Sequence, residues 1–102
     1  MPDIDIDQWQ AALHNDHRLS SNARFVAAAL AERFQKNAGF CQRSIEGLAG
    51  DANIISRNAT AEALAMLRLT GWLISERVPN TPRCGMVHRP VMALHHHESV
   101  AL

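Results

Sequence analysis

"SRNATAEALAMLRLTGWL" occupies positions 56–73, and its spacing decides how the rest of the chain is read. Thr60, Ala63, Leu64 and Leu67 recur at intervals of three and four, which places them on one face of a helix. Ser56 precedes the run as an N-cap, its hydroxyl suited to accept an otherwise unpaired backbone N–H. Gly71 follows it as a stop, because helices commonly close on a residue in the left-handed region. The next stretch, "WLISERV" at 72–78, sets Trp72, Ile74, Glu76 and Val78 against Leu73, Ser75 and Arg77 in the composition of a strand. A helix over about 56–70 therefore runs straight into a strand.

Upstream, "GDAN" at 50–53 interrupts a brief helix, "IEGLA", which Ser44 caps and whose first turn carries Glu46, where the helix dipole favours an anion. Before it, positions 22–36 place Val26, Ala29, Leu30 and Phe34 on one stripe. That amphipathic helix is capped by Ser20 or Ser21 and closed by Asn37 and Gly39 in "KNAGF". "FCQ" at 40–42 is short enough for a single pair of strand residues. Near the start, Asp7 caps "QWQAALHND", with Gln10 at the third helical position and Trp9, Ala12 and Leu13 on one face. Downstream, "PNTPRCG" at 79–85 is a turn region, since Pro79 and Pro82 remove ladder donors and Asn80 and Gly85 favour turns. "MVHRPVMAL" at 86–94 returns as a second strand, with Pro90 arguing for an edge position. The tail "HHHESVAL" has no pattern.

With 102 residues, 47% of them hydrophobic, the chain suits one domain with a modest core. No run of 18 apolar residues exists to span a membrane. The acidic opening "MPDIDIDQWQ" has no basic-then-apolar signal pattern, so the expected setting is cytoplasmic. Cys41 and Cys84 form no CxxC motif and read as reduced, buried or half-buried thiols. The formal net charge of zero conceals an asymmetry. Positions 1–17 carry four Asp and no Lys or Arg, or −4, and positions 18–94 carry ten cations against five acids, or +5; Glu98 supplies the remaining −1. Nine of the ten cations are arginine, the side chain suited to bidentate phosphate or guanine contact. The organisation expected is an acidic arm with a short helix (1–17), a main domain (18–94) and a tail (95–102).

From about 19 to 94 the chain resembles the winged helix-turn-helix domains of phage and plasmid replication and regulatory proteins. The residues carrying the likeness are "LSSNAR" opening the long helix, "GFCQRS" before the short one, Leu48–Ala49, "SRNAT", and, most specific, "LAMLRLTGWL". In such proteins the turn between "LA" and the serine is usually one residue shorter and holds a glycine. Here it reads "GDANII", so Asn53 takes the glycine's place in a left-handed conformation, and one of Ile54 and Ile55 plugs the core.

The resemblance implies an α+β, mostly helical fold with a C-terminal β-hairpin wing, and sequence-specific binding of double-stranded DNA in regulation or replication of a mobile element. The helix at about 56–70 would enter the major groove and the wing at about 77–89 would follow the backbone. The expected contact residues are Ser56, Arg57 and Asn58 at the helix start, Ala61 and Glu62 beyond them, Arg43 and Ser44 just ahead of the short helix, and Arg77, Arg83 and Arg89 in the wing. Ser56, Arg57 and Asn58 offer a hydroxyl, a guanidinium, an amide and free N–H groups, which bind phosphates and base edges. The plainer alternatives are a capping serine beside solvated side chains, and wing arginines that keep an edge strand soluble.

A homodimer is expected, with the Trp9–Leu13 stripe as one candidate surface and packing within the chain as the other reading. The competing function is a protein-interaction module of the same fold. His95, His96 and His97 read as a tail rather than a metal site, because consecutive extended residues alternate faces. No nucleophile set, paired carboxylates or glycine-rich phosphate loop points to an enzyme, and no cofactor is expected.

Overall fold

The computed structural model describes residues 4–54, 56–77 and 86–92. Four helices precede an antiparallel pair of strands: α1 (Ile6–His14), α2 (Ser21–Lys36), α3 (Ile45–Asp51), α4 (Arg57–Leu69), β1 (Leu73–Arg77) and β2 (Met86–Pro90). The molecule is thus a mostly helical α+β domain. Among the described residues no helix is long and apolar enough to cross a membrane.

Helix starts follow side-chain capping. Ser20, Ser44 and Ser56 accept from the backbone N–H groups of Ala23, Gly47 and Ala59. At α1 the cap is Asp5, not Asp7 as its sequence suggested: Asp5 has extended backbone and accepts from Asp7 and Gln8 N–H. Asp7 already lies in the first turn, and its carboxylate instead accepts from Gln35 Nε2 at 3.1 Å.

The ends of α2, α3 and α4 share one device. Ala38, Asn53 and Gly71 have φ of 58°, 59° and 89°, and the residue after each bonds back into the last turn. The bonds are Gly39 N to Phe34 O (2.8 Å), Ile54 N to Ala49 O (2.8 Å) and Trp72 N to Leu67 O (2.9 Å). This is the Schellman closure, with orphan carbonyls satisfied by a left-handed turn. Asn53 occupies the left-handed position expected of it, and Ile54 after it packs against the core. Ile55 lies outside the described residues.

The core joins Trp9 and Leu13 of α1 to Val26, Leu30 and Phe34 of α2, Leu48 of α3, and Leu64 and Leu67 of α4. The inner face of α4 is Thr60, Ala63, Leu64 and Leu67, as its spacing predicts. Trp9 meets Phe34 edge-on at 5.4 Å, and its indole N–H donates to the carbonyls of Trp72 (3.0 Å) and Val91 (3.2 Å). Trp9 and Leu13 are fully buried within their own chain, so the stripe considered as a dimer surface is consumed by the core. Amphipathicity identified a buried face but not its partner.

Asp16 anchors the loop that follows α1. It accepts from Trp72 Nε1 (2.7 Å) and from Arg18 through Nε and Nη2, while its carbonyl accepts from Arg24. The Arg18 hydrogen bonds hold its carboxyl well below the usual range, against a smaller opposing effect of burial and with help from Trp72.

In the sheet, Leu73 pairs with Pro90, Ser75 with His88 and Arg77 with Met86. Cys41 adds a third position: its N–H and carbonyl exchange bonds with His88 at 2.9 and 2.8 Å. Strand β2 is an edge of the two-stranded sheet, as Pro90 suggests, and a single bridge to Cys41 flanks it at His88. Proline is tolerated because it ends the strand, two residues beyond the bonds to Cys41. The regular strands are also shorter than the apolar runs. Trp72 enters the core ahead of β1, and Val78 lies outside the described residues.

Candidate functional site

Alternation in the sheet puts Ser75 and His88 on one face with Arg77 and Met86, and Ile74, Glu76 and Arg89 on the other. The first face looks toward α4. Between them opens a groove of about 320 Å³ whose walls are the start of α3, one side of α4 and part of β2.

From α4 the groove takes Arg57, Ala61, Leu64 and Arg68. These lie at i, i+4, i+7 and i+11, a single stripe running the length of the helix. Leu64 roots the stripe in the core, and the arginines mark its two ends. From the opposite wall come Arg43, Ser44 and Glu46, and His88 forms part of the sheet side. Three guanidinium groups thus face one carboxylate.

Each cation has a different hold. Arg57 Nε donates to Glu46 Oε2 at 2.6 Å, and both side chains remain well exposed, at 59% and 66%. Glu46 is held below its ordinary carboxylate range first by a hydrogen bond from backbone and then by Arg57. Arg43 lies across Gly47, where an added Cβ would come within 2.6 Å of its Nε, and reaches Asp51 through Nε (3.0 Å) and Nη2 (3.1 Å). Arg33 donates to the same Asp51 carboxylate at 3.0 Å, leaving one negative charge between two positive ones. Arg43 keeps Asp51 ionised to lower pH than an ordinary aspartate. Arg68 meets no carboxylate in the described structure. Its Nη1 donates to the hydroxyl of Ser75 at 3.2 Å, and that hydroxyl lies 2.7 Å from His88 Nδ1. His88 is only 4% exposed, and burial, followed by the charge of Arg68, pushes its pKa down to about 4, leaving it neutral near pH 7.

The residues expected from sequence divide accordingly. Arg43, Ser44, Arg57 and Ala61 come together in the groove. Ser56 caps α4, and Asn58 and Glu62 are exposed on the same helix outside the groove lining. Arg77 is exposed at the end of β1 on the groove-side face. Arg89 lies on the opposite face, where it donates to Glu76 (3.3 Å) and sits 5.9 Å over the ring of Phe40. It is therefore separated from the groove by the sheet itself. Arg83, Cys84 and the histidine run at 95–97 lie outside the described residues; Cys41 is buried. Among the described residues no three His, Cys, Asp or Glu side chains gather as a metal-binding group.

Arg68, Glu46 and His88 were not among the expected contact residues. The signal for Arg68 was present, since it continues the 57–61–64 spacing by one further turn. His88 required the strand register, which periodicity does not supply.

No family model, curated protein or solved structure matches the chain.

Proposed function

We propose that the protein is a winged helix-turn-helix module that binds double-stranded DNA, with α4 in the major groove and the strand pair beside it. The observation that carries this reading is the arginine-lined groove: one face of α4 with cations at both ends, opposite Arg43 on the wall formed by α3. The order α2, α3, turn, α4, β1, β2 supports the fold reading, with α3 and α2 both packed on α4. A phosphate is the natural counter-ion for such a surface, because it accepts two parallel bonds from a guanidinium. The intramolecular pairs do not obstruct this. Exposed ion pairs contribute only about 0–1 kcal/mol, so an acceptor on DNA displaces Glu46 from Arg57 at small cost.

The free start of α4 supplies the reading groups. Ser56 uses its oxygen for the cap, and Arg57 and Asn58 stand exposed beside it. Those two side chains suit guanine and adenine edges respectively. One such module buries about 600–1,000 Å² on DNA, thin for selecting a site in a genome, so we propose that two copies act on a pseudo-palindrome. Their interface lies outside the Trp9–Leu13 stripe.

Titrating labelled duplex DNA with the protein at two salt concentrations tests the reading. Affinity is expected to fall steeply as salt rises, and Arg57→Ala or Asn58→Ala to weaken a selected site by about 1–3 kcal/mol while relaxing base preference. Absence of salt-dependent duplex binding sinks the DNA reading in favour of a protein-binding module. Sedimentation with and without duplex tests the pairing, and a monomer in both cases defeats it.

A further inference from the structure

The groove has one cation whose role differs from the rest. Among the described residues, Arg43 and Arg57 are engaged by carboxylates, whereas Arg68 is exposed and engaged only by a neutral hydroxyl. That hydroxyl is itself fixed. Arginine can only donate, so the Ser75 oxygen accepts from Arg68, and the same hydroxyl is hydrogen-bonded to His88 Nδ1 2.7 Å away. A hydrogen-bonded chain runs from Arg68 through Ser75 to His88, anchored in the sheet where His88 exchanges backbone bonds with Cys41. The result is an arginine aimed by neutral groups, with no carboxylate beside it among the described residues.

Position adds a second constraint. Arg57 and Arg68 are 11 residues apart on one face of α4, about 16 Å along the helix axis. The DNA major groove is about 12 Å wide between its phosphate walls. A helix whose start reads base edges in such a groove carries its far-end cation, Arg68, out to a phosphate wall.

We propose that Arg68 is a backbone-phosphate contact of double-stranded DNA, positioned by the Ser75–His88 pair, so that α4 reads bases at its start and is held to a groove wall at its end. The inference rests on the DNA-binding reading and assigns a residue and a role within it. Arg68 is a binding residue that confers affinity without base preference; Ser75 and His88 are positioning residues.

The experiment uses the full chain and a random-sequence duplex of about 20 base pairs, titrated at 50 and 200 mM salt. Losing one phosphate contact flattens the logarithmic salt slope by about 0.9, so Arg68→Gln should lose about 3–4-fold more affinity at 50 mM than at 200 mM. Arg68→Lys should keep the wild-type slope. Ser75→Ala should weaken binding in the wild-type background and leave it unchanged in the Arg68→Gln background, a coupling that a merely structural serine does not give. Far-ultraviolet circular dichroism of each variant confirms the fold is retained; Arg68 is exposed, so Arg68→Gln serves as the reference should Ser75→Ala unfold. Wild type without salt-dependent binding overturns the underlying function and this inference together. Wild type that binds, with Arg68→Gln keeping its slope, overturns this inference alone, as does a Ser75→Ala effect of equal size in both backgrounds.

Discussion

Asp16 and Glu46 each hold an arginine, in opposite surroundings. The Asp16 side chain is 8% exposed and wedged between Arg18 and the indole of Trp72, whereas Glu46 and its partner Arg57 stand mostly in water. Distance alone does not separate them, at 2.5 and 2.6 Å. What differs is the alternative available to each group. A shielded carboxylate that loses its partners is stranded with an unmet desolvation cost, while an exposed one is rehydrated. The seam joining α1 to the sheet therefore consists of contacts that hold the fold, and the groove of contacts that another anion can replace. Substitutions should sort along that line.

The largest effect is expected at Trp9. Trp9→Ala removes a fully buried indole together with its two bonds to the Trp72 and Val91 carbonyls, and should cost about 3–5 kcal/mol by urea denaturation. A loss below about 1 kcal/mol would mean that α1 is not integral to the core.

Next comes pH. His88 is neutral when folded down to about pH 4, against an ordinary value of 6.5. The unfolded chain takes up a proton that the native state refuses, so stability is lost as pH falls from about 6.5 toward 4, by about 3 kcal/mol at most. His88→Gln should flatten the stability profile in that window. Asp16 behaves differently: its contribution is complete above its unfolded value near 3.8 and fades only as pH falls below that. If the wild-type profile is flat between pH 7 and 5, the buried-imidazole account fails.

Asp16→Asn should cost about 1–3 kcal/mol at neutral pH, since Arg18 and Trp72 lose a charged acceptor. Glu46→Gln should shift stability by less than about 1 kcal/mol and, on the DNA-binding reading, tighten random duplex at low salt by freeing Arg57. Measured side by side, these two test the division most directly. Equal destabilisation by both would erase it.

Local rules made much of the helical frame legible. Three serine caps, the buried face of α4 and the left-handed Asn53 all depend on neighbours within a few residues, and each is where its spacing placed it. At α1, Asp5 and Asp7 offer the same chemistry two residues apart, and only the backbone decides which one caps. The site was legible in part for a related reason. Arg43, Ser44, Arg57 and Ala61 follow from helix starts and one helical face. Glu46 beside Arg57, Arg43 laid over Gly47 to Asp51, and the Arg68–Ser75–His88 chain depend on how separate elements meet, which no local pattern encodes.

The bond from Trp9 to the Val91 carbonyl spans 82 positions, and its companion to Trp72 spans 63. Closing loops of that length has an entropic cost that must be met before the contacts repay it, which slows folding. Synthesis proceeds from the other direction: α1 emerges first and waits through every later element for Trp72 and Val91 to appear. A nascent chain ending at α4 has neither the Trp72 nor the Val91 carbonyl for the Trp9 indole, so this lock closes only once the second strand is delivered.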